Sequence, residues 1–467
     1  MELDPTRMCE LLVGLPDIDV LGVDDLEPGR LVVVVTVREN RPLCGRCETP
    51  AWVKDHREVD LVDLPAFDQM VTLRVIRTRW RCPRLLCGVG SWTVEHPEIA
   101  PAGHVMTTRA ARWATTQVGR WGRSVEEVAA ALGCDRHTVN DAVIAYGEAL
   151  LDADADRVGV VRALSIDETL FKREGRWRTQ RWSTQLVDAR TGQLLEIVEG
   201  RDSAAAAGWL AEQPAQWRAG ISWAVMDLSG PYRVTFDTML PDAVQVADPF
   251  HVIKHANTKL DEARRRVQNE TLGHRGRKDD PLYRCRRLLL RAHERLDARG
   301  DTKLLGLLRA GDPHGDVAYA WHAKEAVRFF YDIPNPDLAG RYLTELATDL
   351  QDPDFPTEVR SLGRTLTRWG SQIAAWHHAR ASNGPAEAVN NLIKRVKRVA
   401  FGFRRFRHYR VRSLLYAGRP DWNLLATITP RSLGNDGRVG SVHVVDAHHG
   451  FWGFIAHPAR GSDRQFQ

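Results

Sequence analysis

The sequence predicts a multidomain protein of the α/β class, and three observations support this prediction. The chain has 467 residues, too many for one hydrophobic core, and this length suggests roughly three domains. Four of its seven cysteines stand in two close pairs near the N-terminus, which is typical of a metal site. Strands then alternate with helices from about residue 162 to 258, and a long, almost wholly helical segment follows.

Composition and charge narrow the class of protein. No apolar run approaches the ~18 residues of a membrane span, and the N-terminus has acids where a secretory signal carries lysines. An odd number of cysteines argues against a secreted disulfide framework. We therefore expect a soluble cytoplasmic protein without a membrane partner.

The basic residues are clustered although the net charge is only +5. The clusters are Lys254–Arg299 and Lys394–Arg412. Clustered Lys and Arg side chains indicate a polyanion partner such as nucleic acid. The alternative is that each run is the solvated face of a helix.

The two cysteine pairs predict a structural zinc site in a zinc-ribbon domain over residues 1–100. The pairs have Cys-x2-Cys and Cys-x4-Cys spacing, and their members are Cys44, Cys47, Cys82 and Cys87. Four thiolates are the tetrahedral ligand set that a structural zinc ion prefers, and a strand predicted at Gln69–Arg77 fits a ribbon. With no open coordination position, this Zn²⁺ would stabilise the fold without catalysis. The alternative is four unrelated buried cysteines.

Residues 101–158 are expected to form a helix-turn-helix DNA-binding domain. Helices are predicted at Ser124–Leu132 and Arg136–Tyr146, with a short turn between them. Ser124 and Glu127 have the spacing of a capping box. In this motif the second helix enters the major groove, and the residues that would face bases or phosphates are Arg136, His137, Thr138 and Asn140. A helical hairpin without a role in DNA binding is the alternative.

The order of elements after residue 159 is that of a ribonuclease-H-like α/β domain, with three strands followed by alternating helices and strands. The first strand runs into Asp167 and Glu168, the fourth into Asp227, and the fifth into Asp248. In this fold, acids that end the first and fourth strands lie side by side. The sequence therefore predicts that Asp167 and Asp227 are neighbours.

Two adjacent carboxylates repel each other, and proteins tolerate such pairs where divalent cations lie between them. Asp167 and Asp227 are therefore candidate metal ligands and catalytic residues, with Glu168 and Asp248 as substitutes. A structural role is the alternative, because single aspartates at strand ends are also ordinary turn formers.

A third acid lies beyond the helical segment, which we interpret as an α-helical insertion over about residues 258–380. The stretch Ser382–Arg412 begins a very basic helix near Pro385 and places Glu387 in its first turn. An apolar stripe along this helix comprises Val389, Leu392, Ile393, Val396 and Val399. Glu387 either acts on a phosphate backbone or caps the helix and balances its dipole.

Four features together resemble one family. They are SIDE at Ser165–Glu168, DPFHVIKHAN at Asp248–Asn257, SNGPAEAVNNLIKRVKRVAFGFRRF at Ser382–Phe406, and the cysteine ribbon followed by a helix-turn-helix. This combination resembles the ISL3 transposases of bacterial insertion sequences, which belong to the larger DDE group. The resemblance covers roughly residues 40–420, and the third motif is its most specific part.

The resemblance implies metal-dependent DNA strand cleavage and strand transfer by a DDE transposase domain over residues 159–430. The three catalytic acids, which would hold Mg²⁺ or Mn²⁺, would be Asp167, Asp227 and Glu387. The residues that would neutralise phosphates are Lys394, Arg398 and Arg404. Phe401 or Phe403 would stack on an unpaired base. The implied partner is double-stranded DNA, both terminal inverted repeats and target DNA, bound by a homo-oligomer.

Two other functions are compatible with the same modules. One is a catalytically inactive or domesticated DNA-binding regulator that does not cut, and the other is a zinc-stabilised nuclease that acts on RNA. The positions of the three acids distinguish the transposase and nuclease hypotheses from the regulator hypothesis, because either enzyme requires these acids to converge in the folded chain. Residues 431–467 match no pattern and receive no role.

Overall fold

The computed structural model describes residues 4–25 and 27–430. Residues 431–467, for which the sequence predicts no role, lie outside the described residues. The described chain forms two five-stranded sheets, with helices between them in sequence and a long helical segment after the second. No helix in this part of the chain is long and apolar enough to cross a membrane.

An N-terminal sheet carries the two cysteine pairs in neighbouring loops. Its elements are helix α1 (Pro5–Val13) and strands β1 (Ile18–Asp24), β2 (Arg30–Val37), β3 (Trp52–Val62), β4 (Met70–Arg81) and β5 (Ser91–Thr93). The strand order is β1-β2-β4-β3, and β5 pairs with β4. Val71, Leu73 and Val75 of β4 are buried in one apolar core, as the two-residue period of a strand requires. The β3–β4 hairpin brings the loop after β2 beside the loop after β4.

Three helices follow, with a π-helical turn after the first. They are α2 (Thr108–Thr115), the turn Thr116–Arg120, α3 (Val125–Leu132) and α4 (Arg136–Ala153). The predicted capping box is present, since Glu127 N donates to Ser124 Oγ and Ser124 N donates to Glu127 Oε2. Gly133 ends α3 with φ 66°, and a Cβ there would meet the side chain of Met70. These helices have the predicted local form, and their binding to DNA stays a prediction.

The second sheet has the predicted order of elements. It contains β6 (Ala163–Glu174), β7 (Thr179–Asp188), β8 (Gln193–Glu199), β9 (Trp223–Met226) and β10 (Val244–Ala247), connected in part by α5 (Ser203–Glu212), α6 (Ala215–Ala219) and α7 (Gly230–Met239). Its spatial order is β10-β9-β6-β7-β8. β7 is antiparallel to β6 and β8, whereas β9 is parallel to β6 and β10. This order and these directions are those of a ribonuclease-H-like sheet.

One predicted strand boundary is wrong, because the first strand of this sheet does not end at Asp167 and Glu168. β6 continues to Glu174, since its antiparallel neighbour β7 keeps pairing with it and places Gln185 opposite Asp167. Its parallel neighbour β9 ends at Met226. Asp167 therefore lies at the level where the parallel strands β9 and β10 have ended, whereas the antiparallel pair β6 and β7 continues beyond it.

A helical segment follows the second sheet, as predicted. Its helices are α8 (Pro249–Leu272), α9 (Pro281–Leu289), α10 (Ala298–Gly311), α11 (Asp316–Phe330), α12 (Pro336–Asp349), α13 (Thr357–Arg368), α14 (Gly370–Ala374) and α15 (Trp376–Ala379), with a 3-10 turn at His293–Arg295. The side chain of Asp248 caps α8 by accepting from His251 N. Apolar residues of these helices share one core with the second sheet, so the segment is packed against the sheet.

Two last helices return the chain to the second sheet. They are α16 (Gly384–Val399) and α17 (Phe406–Ala417), and a 3-10 turn at Trp422–Ala426 follows. α16 packs on β6 and β7, and α17 packs on β8 and α4. Val389, Ile393 and Val396 of the predicted stripe are buried. Leu392 is 38% exposed instead, and Asn390 is buried, because the side of α16 that covers β6 meets polar groups of that strand.

Candidate active site

The first two predicted acids lie at the same level of two adjacent strands. β6 and β9 are parallel neighbours, and Ser165 pairs with Val225 in their register. Asp167 comes two residues after Ser165, and Asp227 comes two residues after Val225. Both side chains are half-buried. The parallel register thus brings together the two acids that the order of elements predicts to be neighbours.

Glu387 reaches the same place from the first turn of α16. Asn383 immediately precedes this helix and is fully buried. Its backbone oxygen accepts from Glu387 N (2.8 Å), and its side-chain Oδ1 accepts from Ser165 Oγ (2.6 Å). Because Ser165 precedes Asp167 by two residues on β6, the contact fixes the start of α16 beside the two aspartates.

The charges of the other two acids act on Asp167. Burial raises the pKa of Asp167 above its usual range, and the negative charges of Asp227 and Glu387 raise it further. Burial also raises the pKa of Asp227, an effect that Asp248 increases and His251 opposes. Like charges held together away from water favour either proton uptake or a bound cation.

One oxygen of this group has no partner within the described protein. Asp227 Oδ1 is buried and makes no hydrogen bond, although buried polar atoms are normally paired. Carboxylate oxygens are the ligands that Mg²⁺ and Mn²⁺ prefer. An orphaned carboxylate oxygen beside two further acids therefore fits a divalent cation.

Asn390, which the sequence pattern did not single out, completes the contact between α16 and β6. Its Nδ2 donates to Asp167 Oδ2 (2.7 Å), and its Oδ1 accepts from Thr169 Oγ1 (2.9 Å). The residue is 5% exposed. Its spacing of three residues from Glu387 places both on one face of the helix, and this spacing is the signal that could have found it. The helix that carries Glu387 thus also orients Asp167.

Asp248, one of the two substitute acids, has both oxygens engaged in local contacts. Its Oδ1 accepts from Asn383 N (2.8 Å), while its Oδ2 accepts from His251 N (3.2 Å) and contacts His251 Nδ1 (2.9 Å). The hydrogen bond with Asp248 raises the pKa of His251. Asp248 is only 2% exposed, so its role in the fold is to tie the start of α8 to the start of α16.

Glu168, the other substitute, borders the same site. Burial raises the pKa of Glu168, and the charges of Asp227 and Asp167 add to this, whereas Arg201 and Tyr232 oppose it. Tyr232 lies on α7, and its hydroxyl also contacts a hydroxyl of β7 at 3.3 Å. Glu168 therefore faces α7, away from the helix that carries Glu387.

The four predicted zinc ligands form one cluster. Their sulfur atoms all lie within 4.8 Å of one another, with 3.6 Å from Cys44 to Cys87 and 3.5 Å from Cys47 to Cys82. Sulfurs bound to one zinc ion at ~2.3 Å would be about 3.8 Å apart, so the cluster fits tetrahedral zinc. Contacts with Thr49 lower the pKa of Cys47 to about 6, whereas burial raises the pKa of Cys82 to about 12. Within the described ranges no other group of potential ligands, the three acids included, is gathered as closely.

The residues predicted to contact DNA lie at the surface in two places. At the start of α4, two are exposed and two are half-buried: Arg136 and His137, then Thr138 and Asn140. On α16 and just after it, all three are exposed: Lys394, Arg398 and Arg404. Both groups are therefore accessible to a large ligand.

Other basic residues of the two sequence clusters are neutralised inside the fold. Arg266 of α8 forms ion pairs with Glu358 (2.9 Å) and Asp316 (2.9 Å). Arg407 and Arg410 of α17 likewise form ion pairs with glutamates of α4 and β8. These arginines hold elements of the fold together. The exposed basic residues near the three acids include Lys254 of α8, whose charge acts on Asp227, as well as those of α16 and the loop after it.

Comparisons with known proteins point to one family. A family model described as a transposase, of the ISL3 type in the DDE group, matches residues 164–413, slightly more than half of the chain and the span that contains all three acids. The chain is 27% identical to the transposase for insertion sequence element IS1557 of Mycobacterium tuberculosis over 341 residues, 66% of this chain and 74% of that protein. It is 24% identical to the transposase for insertion sequence element IS1001 of Bordetella parapertussis over 406 residues, 82% of this chain and 92% of that protein. The chain therefore belongs to the ISL3 family of insertion-sequence transposases.

Proposed function

We propose that this chain is a DDE transposase that binds the terminal inverted repeats of an insertion sequence and catalyses metal-dependent DNA strand cleavage and strand transfer. The observation that carries the proposal is the meeting of Asp167, Asp227 and Glu387, which come from three distant parts of the chain. Family membership supports a DNA-processing activity. The proposed site of action is the cytoplasm, where chromosomal DNA of a bacterium lies.

The three acids are the proposed ligands of two Mg²⁺ or Mn²⁺ ions. Such ions, when bound, would polarise a phosphate and lower the pKa of an attacking water. The unpaired Asp227 Oδ1 and the raised pKa of Asp167 support a cation at this place. Asn390 would hold Asp167 in the orientation that the site needs, and Asp248 would fix the helix that carries Glu387.

The proposed reaction consists of two phosphoryl transfers. Water first attacks the phosphate at the end of the element, the bond from phosphorus to the 3′ oxygen breaks, and a 3′-hydroxyl is released. This hydroxyl then attacks a phosphate of the target DNA and displaces the 3′ oxygen of the target strand. The new phosphodiester bond joins the element to the target. No covalent intermediate with the protein forms, so the reaction requires no Ser or Tyr nucleophile. Exposed Lys394, Arg398 and Arg404 would neutralise the phosphates.

The proposed domains separate DNA recognition from the chemistry. A zinc ribbon over residues 1–100 and a helix-turn-helix over residues 101–158 would recognise the inverted repeat, with Arg136, His137 and nearby residues at the DNA. The transposase domain over residues 159–430, with its helical insertion near 258–380, would carry out the chemistry. A homo-oligomer on DNA is proposed, because the element has two ends to be joined.

The test is a strand-cleavage assay on the flanked ends of the element with Mg²⁺ or Mn²⁺. Asp227→Asn should abolish cleavage and leave binding to the end intact, since it removes a ligand charge without changing the side-chain size. Asp242→Asn is the matched control, because Asp242 is an exposed aspartate of the same domain.

Three results are informative. Cleavage that survives in Asp227→Asn would overturn the assignment of this acid. A wild-type protein that binds ends but never cleaves would favour the DNA-binding regulator. Cleavage of RNA with none of DNA ends would favour the RNA nuclease.

A further inference from the structure

The strand and the helix that carry the first and third acids run side by side in the same direction. Asn390 of α16 contacts Asp167 of β6, as described above. Farther along α16, Lys397 Nζ donates to the backbone oxygen of Leu170, and Lys172 Nζ then donates to the backbone oxygen of Arg404 (3.1 Å). Later residues of the helix thus meet later residues of the strand, so the two elements leave the site together.

β6 ends in an exposed hairpin with an aromatic tip. Residues 173–181 are all exposed, and Trp177 at the tip is 85% exposed. The guanidinium of Arg176 lies over the Trp177 ring at 5.6 Å. An indole this exposed has no structural role in the described chain, because it contributes nothing to a core.

The charges of this hairpin are unbalanced. Its one acid, Glu174, is taken up by ion pairs with Lys172 (3.0 Å) and Arg181 (2.9 Å). Three further arginines have no ion-pair partner among the described residues: Arg173, Arg176 and Arg178. The tip is therefore a concentrated positive charge around an exposed aromatic ring.

The loop after α16 also exposes an aromatic ring beside arginines. Phe401 follows the helix with φ 53° and is 97% exposed, and Arg404 and Arg405 are exposed beside it. Phe403, by contrast, packs in the apolar cluster of Phe171, so of the two predicted stacking residues Phe401 is the one accessible to a ligand. The bond from Lys172 to the Arg404 oxygen joins this loop to the base of the hairpin.

We propose that the hairpin end at residues 173–178 and the loop at residues 401–405 form one clamp for duplex DNA away from the cleaved phosphate. This inference rests on the proposed function and adds a second contact site to it. Arginines would contact the phosphates of the duplex, while Trp177 and Phe401 would pack against sugars or base edges. Duplex DNA is the partner, because its backbone alternates phosphates, which guanidinium groups bind, with sugars, against which the exposed rings can pack.

The two elements set the distance of this clamp from the acids. From Asp167 to Gly175 the strand spans about 26 Å at ~3.3 Å per residue. From Glu387 to Phe401 the helix spans about 21 Å at ~1.5 Å per residue. At ~3.4 Å per nucleotide along a strand, the clamp would hold DNA about six to eight base pairs from the scissile phosphate.

The experiment measures DNA binding and phosphate-ethylation interference with Asp227→Asn protein, which keeps the substrate uncut. Arg173→Ala with Arg178→Ala should lower affinity and reduce the slope of log K against log salt by about 1.8, since each lost phosphate contact removes about 0.9. Trp177→Ala should lower affinity about tenfold, because the exposed ring loses its contact with the duplex. Arg341→Ala, an exposed arginine of α12, is the matched control, and thermal unfolding verifies that each variant is folded.

Interference six to eight base pairs from the cleavage position that disappears in the hairpin variants supports the clamp. Its position then distinguishes the two sources of duplex, because element DNA and flanking DNA lie on opposite sides of the cut. Unchanged affinity, salt slope and interference in folded variants would overturn the clamp. That outcome would leave the proposed function intact, since the latter depends on loss of cleavage in Asp227→Asn.

Discussion

Asp167 and Asn390 are 223 positions apart in the chain, yet Asn390 Nδ2 lies 2.7 Å from Asp167 Oδ2. The same amide group also accepts from Thr169, which leaves it one orientation in which both bonds form. A hydrogen-bond donor to a metal-binding carboxylate fixes the direction of its free lone pairs, and such supporting groups affect metal affinity strongly. At the scale of single residues, the site is therefore held by two neutral amides, Asn383 and Asn390, as well as by its acids.

Asn390→Ala should raise the Mg²⁺ concentration that half-saturates cleavage about 10- to 100-fold, because Asp167 loses the partner that orients it. Excess Mn²⁺ should restore part of the rate, and binding to DNA ends should not change. Asn391→Ala is the control, since its side chain is exposed on the same helix. A fall in rate with the same metal dependence would instead indicate a purely structural role. The measurement is a cleavage titration with each metal.

The raised pKa values of Asp167 and Asp227 predict a dependence of stability on pH. An acid whose pKa is raised by folding stabilises the fold fully below its unfolded pKa, and this contribution is lost as the pH rises through the folded pKa. Without Mg²⁺, these two acids should therefore contribute a fall in the melting temperature as the pH rises from about 4, the ordinary pKa of aspartate, whereas carboxylates whose pKa is lowered by folding, such as Asp60 and Glu358, contribute a rise. Asp227→Asn should show a smaller fall, and Mg²⁺ should reduce the fall in the wild type. Calorimetry of both proteins decides, and parallel curves would contradict the prediction.

At the scale of elements, the predictions that held depend on short stretches of sequence. The capping box of Ser124 and Glu127 and the short turn between the two helices involve neighbours in the chain, and both are present. The predicted end of the first strand at Asp167 failed because β7, a neighbour from the following hairpin, extends the pairing to Glu174. Strand ends depend on the partner strand, whereas helix caps depend on nearby residues.

The cysteine cluster gives a prediction at this scale. Purified protein should contain about one zinc ion per chain, because four thiolates form a complete tetrahedral set. Removing the metal with a chelator, or Cys44→Ser, should impair binding to the inverted repeat before it affects the catalytic site. Cys9→Ser is the control, since Cys9 lies outside the cluster. Metal analysis and end-binding assays provide the measurement, and unaltered binding by zinc-free protein would count against a role of the ribbon in recognition.

At the scale of the whole molecule, α17 joins helices α2, α3 and α4 to the second sheet. Val411 and Leu415 lie in the core of α2, α3 and α4, while Tyr409 and Leu414 lie in the core of β7 and β8. Arg407 and Arg410 add ion pairs to α4 and β8. One helix thus contributes to both cores, which sets the position of the start of α4 relative to the three acids.

The distribution of charge predicts how the whole molecule binds DNA. Six to ten phosphate contacts would give a slope of log K against log salt of about −5 to −9. Lys394→Ala and Arg398→Ala should each reduce the slope by about 0.9, because both side chains are exposed. Arg341→Ala should leave it unchanged. Binding measured across a range of salt concentrations is the test, and a flat response of the wild type would remove the argument from phosphate contacts.

The sequence by itself determined the order of strands and helices, the cysteine pairs and the three candidate acids. It did so because strand and helix periods, caps and ligand spacings depend on residues close together in the chain. The tertiary structure alone decided that Asn383 and Asn390 support the acids, that Asp248 is occupied by Asn383 and His251, and that β6 and α16 end together. Except for the bond between His251 and Asp248, those contacts join residues more than a hundred positions apart, and no local pattern of apolar and polar residues carries the register between a strand and a distant helix.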